Sequence, residues 1–344
     1  MGPTSWSPGR KRQRTVHPGE PDRESKKSKK VWLEDGNVIL QVQGVQFRVH
    51  KSVLSLHSAV MKEMFSATRP AVEDEKEGCP IIYLSNDDTA EGWEVVLGQF
   101  YCGRLGLPSD PLPFTEIRAM LHLGHKYKFE TMKEEAVKQL KQIFPRSYDE
   151  WTSQIRHLRR DTLIHNSKTT TVVDAINLAY LLRLKTILPT LLLEAFYPKL
   201  KYPSILSDGV ATPDGRVTRL LPEAVVSISV GRERLYEGLI NHVLAHIHSP
   251  KQIPTQGCKR PAYKTAEEPC TSVRARLLAE IAHPKMSLVT WIEGSRNCEK
   301  WHSALCQSCF EHSIRQLKQG RLKLWEELPT YFGLPPWDQL KDFA

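Results

Sequence analysis

The chain is predicted to adopt an α+β fold: a short β-sheet flanked by a helical cluster, followed by a mostly α-helical C-terminal region. Three observations predict it. Apolar residues alternate with a period of two from Val38 to Val49, a helical period takes over after His50-Lys51, and beyond Pro145 the apolar segments are dense and helical with no alternation.

Val38, Leu40 and Val42 alternate with polar or variable residues, Gln43-Gly44 interrupts, and Val45, Phe47 and Val49 resume the rhythm. A two-residue turn at Gln43-Gly44 sets Val42 opposite Val45, Leu40 opposite Phe47 and Val38 opposite Val49, so that all six side chains share one face. A one-residue slip would turn one strand's apolar set outward, which makes the hairpin register self-checking. Past His50 the apolar positions Val53, Leu54, Val60, Met61, Met64 and Phe65 predict two short helices, the second restarting at Ser58, a good N-cap residue. An acidic, Pro-containing loop (SATRPAVEDEKEGC) precedes a short strand, PIIYLS. Asp88 and Glu91 resemble a capping box with Asp in the hydroxyl's place. The helix behind them carries Trp93, Val96, Leu97, Phe100 and Tyr101 as one buried stripe. A turn-rich connector, CGRLGLPSDPLP, leads to two more helices. One carries Ile117, Leu121, Gly124 and Tyr127; the other carries Met132, Ala136, Leu140 and Ile143 and stops at Pro145. The Glu/Lys-rich face around ETMKEEAVKQLKQ reads as a solvated helix surface, with Glu134 and Glu135 near Lys138.

Four segments dominate the C-terminal half: TTTVVDAINLAYLLRL, LPTLLLEAFY, LPEAVVSISV and RERLYEGLINHVLAHIH, separated by prolines and by polar breaks such as SDGVATPDGR. No repeat of 20 to 50 residues is visible. The greasiest stretch, VVDAINLAYLLRLKTILPTLLLEAFY, is broken by Asp174, Arg183, Lys185 and Pro189, which predicts packed core helices and no membrane span.

Net charge is +9, but residues 1–30 hold nine Lys/Arg against three Asp/Glu, so the remainder is only weakly basic. Rich in Pro, Gly, Ser and charge, the first thirty residues lack the apolar surface needed to offset ordering entropy. The expected organisation is a disordered basic tail over 1–34, a compact domain over 35–145 and a helical region over 146–344. The clusters RKRQR (Arg10 to Arg14) and KKSKK (Lys26 to Lys30) resemble a bipartite nuclear-import signal; a solubilising tail is the plainer alternative. With no secretory signal and an odd number of cysteines, seven, the chain is expected inside the cell, nuclear or cytoplasmic, with free thiols or a metal site in place of disulfides.

Read together, DGNVILQVQGVQFRVHKSVL, SAVMKEMF, FYCG and LGHKYKF, in that order between Asp35 and about Pro145, resemble a BTB/POZ domain. The resemblance implies a protein-interaction module, commonly dimeric and without a catalytic centre, whose second strand closes at the His-Lys step, here His50 and Lys51. It implies a self-complementary patch built from the first helices, around Val53 to Phe65. The ending LWEELPTYFGLPPWDQL, preceded by LCQSCF, is similar to the C-terminal region of uncharacterised fungal BTB proteins. Without a Cys, Asp or Glu nearby at catalytic or chelating spacing, His50 is expected to hydrogen-bond buried backbone.

Cys306 and Cys309 form a C-x-x-C, and Cys258 with Cys270 could supply two further thiolates for a structural zinc. A single C-x-x-C is weak evidence and twelve residues exceed a usual knuckle spacing, so ordinary buried thiols are the expectation and no metal or cofactor is assigned. His302 and His312 flank the segment as substitute ligands. His242 and His246 stand at i and i+4, but without the glutamate of H-E-x-x-H they are expected to face solvent. No phosphate-cradling or nucleophile-elbow motif occurs. The sequence thus predicts a non-enzymatic adaptor with protein partners, a homodimer through its BTB unit, and no small-molecule substrate. The alternatives are a substrate adaptor of a cullin-type ubiquitin ligase and a DNA-binding regulator using the basic tail or a Cys-rich zinc site. The small charge of the folded part leaves nucleic acid only non-specific contact with the tail.

Overall fold

A computed structural model describes residues 25–67, 75–101, 112–153, 170–197, 202–211, 217–260, 267–281, 288–294 and 304–344. They fall into two compact units, Met1–Gly103 and Arg104–Ala344.

The first unit is built on a five-stranded mixed sheet in the order β1-β3-β2-β5-β4. Its strands are β1 (Lys26–Trp32), β2 (Val38–Val42), β3 (Val45–Val49), β4 (Glu75–Lys76) and β5 (Cys79–Tyr83). The hairpin of β2 and β3 has the expected register, Val38 to Val49, Leu40 to Phe47 and Val42 to Val45. Gln43 and Gly44 both take positive φ, 49° and 74°, as a two-residue turn that follows the strand twist requires.

The basic segment expected in a disordered tail is partly a strand. Lys26–Trp32 runs parallel to β3 along the sheet edge, so the folded domain begins before Asp35. Its register slips between Lys27 and Trp32, and the buried Ser28 hydroxyl accepts the amides of Lys30 (3.2 Å) and Val31 (3.1 Å) there. Lys27 pairs with Glu77, and Lys30 with Glu94 at 2.9 Å. Two exposed residues for each buried one let the lysines stay wet while Ser28 and Val31 are covered, a pattern that composition alone conceals; charged side chains also protect an edge strand from unwanted pairing. The cluster Arg10 to Arg14 lies outside the described residues.

Helices α1 (Lys51–His57) and α2 (Ala59–Ala67) follow as expected, and the Ser58 hydroxyl caps α2 by accepting the Met61 amide at 2.9 Å. At α3 (Ala90–Tyr101) the cap differs from expectation. Thr89 accepts the Gly92 amide at 3.1 Å, whereas Asp88 is fully buried and accepts the Trp93 indole N–H at 3.2 Å. A one-residue shift in the helix start gave the hydroxyl the cap and freed the carboxylate for the ring.

In the second unit, α4 (Phe114–Tyr127) and α5 (Glu130–Ile143) bury the two predicted stripes against each other. Lys128, left-handed at φ 54°, closes α4. Next come α6 (Tyr148–Trp151), α7 (Thr170–Leu181), α8 (Leu188–Leu193) with a 3-10 turn Glu194–Phe196, and α9 (Tyr202–Ser207). A small hairpin of β6 (Val210–Ala211) and β7 (Val217–Thr218) occupies the polar break SDGVATPDGR. Helix α10 (Pro222–Gly238) then joins two of the predicted helical stretches; it passes into a π-turn, Leu239–Val243, before α11 (Ala245–His248). The last helices are α12 (Cys270–Ile281), α13 (Leu288–Glu293) and α14 (Gln307–Tyr331). α14 is the spine of the unit, packing on the π-turn and on α10, α11 and α8. Glycine permits the closest crossing. A Cβ on Gly320 would lie 2.2 Å from the His242 carbonyl oxygen and 2.7 Å from Val243 Cα. Among the described residues no helix is long and apolar enough to cross a membrane.

Candidate functional site

The four cysteines singled out from the sequence converge in the second unit. The Sγ atoms of Cys258, Cys270, Cys306 and Cys309 all lie within 4.8 Å of one another. Three segments deliver them. Cys258 ends a turn closed by its own N–H to the Thr255 carbonyl at 3.1 Å. Cys270 opens α12, Cys306 is the N-cap of α14, and Cys309 sits in that helix's first turn. The C-x-x-C therefore works as a helix-start pair. Two helix N-termini, where unpaired N–H groups concentrate positive charge, face the sulfurs. Cys270, Cys306 and Cys309 are buried and Cys258 is half-buried.

Two of the sulfurs accept a backbone N–H. Thr255 donates to Cys309 at 3.4 Å and Cys306 to Cys270 at 3.3 Å. The Arg260 amide favours the thiolate of Cys258, and the amides of Cys309 and Lys259 favour that of Cys306. Burial pushes the Cys258 thiol up to about 12, with the neighbouring thiols of Cys309, Cys270 and Cys306 adding to the rise. Burial likewise raises Cys270. At Cys306 burial pushes the same way but is outweighed by the two amides and by the Cys270 and Cys309 thiols, which hold it down at about 6. Cys306 thus ionises more readily than Cys258 or Cys270. A bound cation is what would allow all four to ionise together.

The spacing that looked too long for a knuckle is no obstacle to convergence: the twelve residues between Cys258 and Cys270 lead from one wall of the cluster to another. What the sequence did not reveal was the Thr255, Lys259 and Arg260 amides, since backbone donors carry no residue signature.

No histidine among the described residues belongs to the cluster. His302 lies outside the described residues, and His312, on α14, is not part of the sulfur cluster. His242 and His246 do not face solvent as expected. The His242 Nε2 meets Glu327 Oε2 at 3.0 Å, and the fully buried His246 places Nε2 2.7 Å from Ser313 Oγ. The π-turn between them breaks the i, i+4 geometry on which a shared helix face depends. A groove of about 1280 Å³, lined by Lys133, Val137, Lys141, Pro145, Thr186 and Phe343 among others, is lined by no histidine or cysteine.

In the first unit, the turn from strand to helix at His50 is held from both sides. Its backbone N–H donates to the Tyr101 hydroxyl at 3.1 Å, and the Lys51 N–H donates to Asn37 Oδ1 at 2.9 Å. Burial raises the Tyr101 hydroxyl pKa, against the opposing effect of that amide. The imidazole does not bond buried backbone; its Nε2 lies 3.3 Å from the exposed Asp35 carboxylate. Proton abstraction would need substrate access and an aligned third group. His50 has instead an exposed carboxylate beside it at the start of the hairpin.

The order of hairpin, paired short helices, strand β5 and helices α3 to α5 corresponds to one family. Residues 30–143 match the BTB/POZ domain. The chain carries a BTB/POZ domain. That domain is a protein-protein interaction module of a typically non-enzymatic family, and the match takes in β2 through α5 with His50 at the end of β3. No curated protein matches the chain. On the BTB/POZ helices, Leu54 and Met61 are core residues, Val53, Val60, Met64 and Phe65 are half-buried, and Leu56 is 79% exposed. Leu56 is out of phase with the buried positions of its helix, which is the signal in the sequence that marks it.

Proposed function

We propose that the protein is a non-enzymatic adaptor whose BTB/POZ domain pairs with a second copy through α1 and α2, leaving the helical C-terminal unit to hold another partner. The observation that supports it best is Leu56, a large apolar side chain left in water on a helix of an interaction domain, beside half-buried Val53 and Val60. Covering a leucine is worth about 1.5–3 kcal/mol, and an isologous interface counts each such contact twice. The nuclear reading rests on Arg10 to Arg14, because Lys26–Trp32 is a paired strand. Domain limits of 35–145 and 146–344 remain part of this proposal, with the N-terminal limit moved to Lys26. Light scattering of the full-length chain at micromolar concentration tests the pairing: a mass of twice 39.3 kDa is expected, and a monomer throughout overturns it.

A further inference from the structure

We propose that Cys258, Cys270, Cys306 and Cys309 bind one Zn²⁺ as a closed, structural tetrathiolate centre that staples the start of α14 to the start of α12 and to the 255–260 turn.

The distances carry the first step. Zinc held by four thiolates at about 2.3 Å in a tetrahedron requires sulfur-sulfur edges of about 3.8 Å. The Cys306 and Cys258 sulfurs already stand 3.8 Å apart, and all four lie within 4.8 Å of one another. Disulfide bonding would need sulfurs paired at about 2 Å, and all four cysteines are free. Mutual approach of four sulfurs to tetrahedral spacing is what a shared central ion requires.

Ligand type selects the ion. Four soft sulfur donors exclude Mg²⁺ and Ca²⁺, which take oxygen, and favour zinc among ions that prefer a tetrahedral sulfur shell. The second shell agrees. Backbone N–H groups reach two of the sulfurs, from Cys306 to Cys270 at 3.3 Å and from Thr255 to Cys309 at 3.4 Å. Thiols have little use for such donors, whereas thiolates sharing a dication, with two negative charges left over, are stabilised by them.

The shell also defines the role. All four positions are filled by protein, so no site is open for water or substrate, which separates a structural centre from a hydrolytic one. Position within the unit says what is held. α14 packs on the π-turn, α10, α11 and α8, so its N-terminus is where one ion fixes the phase of the unit's spine. The half-buried Cys258 is the side from which the ion enters and leaves.

Elemental analysis of the full-length chain, purified without chelator, tests the proposal. One zinc per chain is expected. Cys309→Ser should lose most of it, whereas Cys79→Ser, a buried cysteine of the other unit, should keep it. Because Cys309→Ser could fail to fold, the wild-type chain is also loaded with Co²⁺. A tetrahedral cobalt-thiolate spectrum should appear, zinc should abolish it, and chelation should add four reactive thiols to those titrated beforehand. Iron in place of zinc, a metal content near zero with freely reactive thiols, or a cobalt spectrum of octahedral type overturns the proposal.

Discussion

The Asp88 carboxylate accepts the indole N–H of Trp93 at 3.2 Å, and both side chains are shut off from solvent. This polar contact sits under α3 in the BTB/POZ core, where a lost partner cannot be replaced by water. Asp88→Ala is expected to destabilise the domain by about 1–3 kcal/mol, the cost of an orphaned buried donor. Trp93→Phe in the Asp88→Ala background should cost less than in the wild type. Urea denaturation of the four chains of the cycle measures the coupling, and simple additivity would contradict it.

Two glycines should respond in opposite directions to the same change. In α14, Gly320 faces the backbone of the π-turn, and a Cβ there would sit 2.2 Å from the His242 carbonyl oxygen. Backbone cannot swing aside, so the roughly 1 kcal/mol that alanine gains in a helix is outweighed by an overpacking cost of at least about 1–3 kcal/mol. Gly98 in α3 has nothing within 4 Å of the added atom. Gly320→Ala should therefore lower the denaturation midpoint and Gly98→Ala should raise it, the latter stabilising by about 0.5–1 kcal/mol.

Leu56→Asp separates association from folding. The 79% exposed side chain makes little core contact, so monomer stability should move by no more than about 0.5 kcal/mol. The dimer, by contrast, should be lost, because two charges would meet across the symmetry axis. Sedimentation velocity alongside thermal unfolding reads both; a dimer that survives the substitution places the interface elsewhere.

Glu327 gives the second unit an acid-sensitive contact. Burial raises its carboxyl pKa, but hydrogen bonds from Tyr331 and His242 and the positive charge of His242 outweigh it and leave the group below its ordinary 4.5. A depressed carboxylate contributes stability that is complete above the unfolded value and disappears as pH falls through the folded one. Stability should thus begin to drop near pH 4.5 and continue downward, and Glu327→Gln should flatten that part of the profile. A profile unchanged by the substitution would remove this contact from the acid response.

The BTB/POZ hairpin could be read along the chain because its causes are local. A period of two, a two-residue turn and the phase between them leave one register, and Val38, Leu40, Phe47 and Val49 are all fully buried in it. Helices α1 to α5 were legible for the same reason, each stripe and stop being written within about fourteen residues. The strand at Lys26 was not, since four lysines in five residues look like a tail until Glu77 and Glu94 stand opposite them.

The amino-acid order alone determined which residues had the chemistry for a site: four cysteines, two of them at C-x-x-C spacing, and a histidine at a strand end. Tertiary structure decided what they could do. Cys258 and Cys309 are brought together by the packing of a turn against two helix starts, and His242 and His246 are parted by a π-turn. Short-range periodicity is a property of neighbours in sequence, so a reader of the chain can see it. Convergence of groups some fifty residues apart depends on burial elsewhere, and only the folded molecule records it.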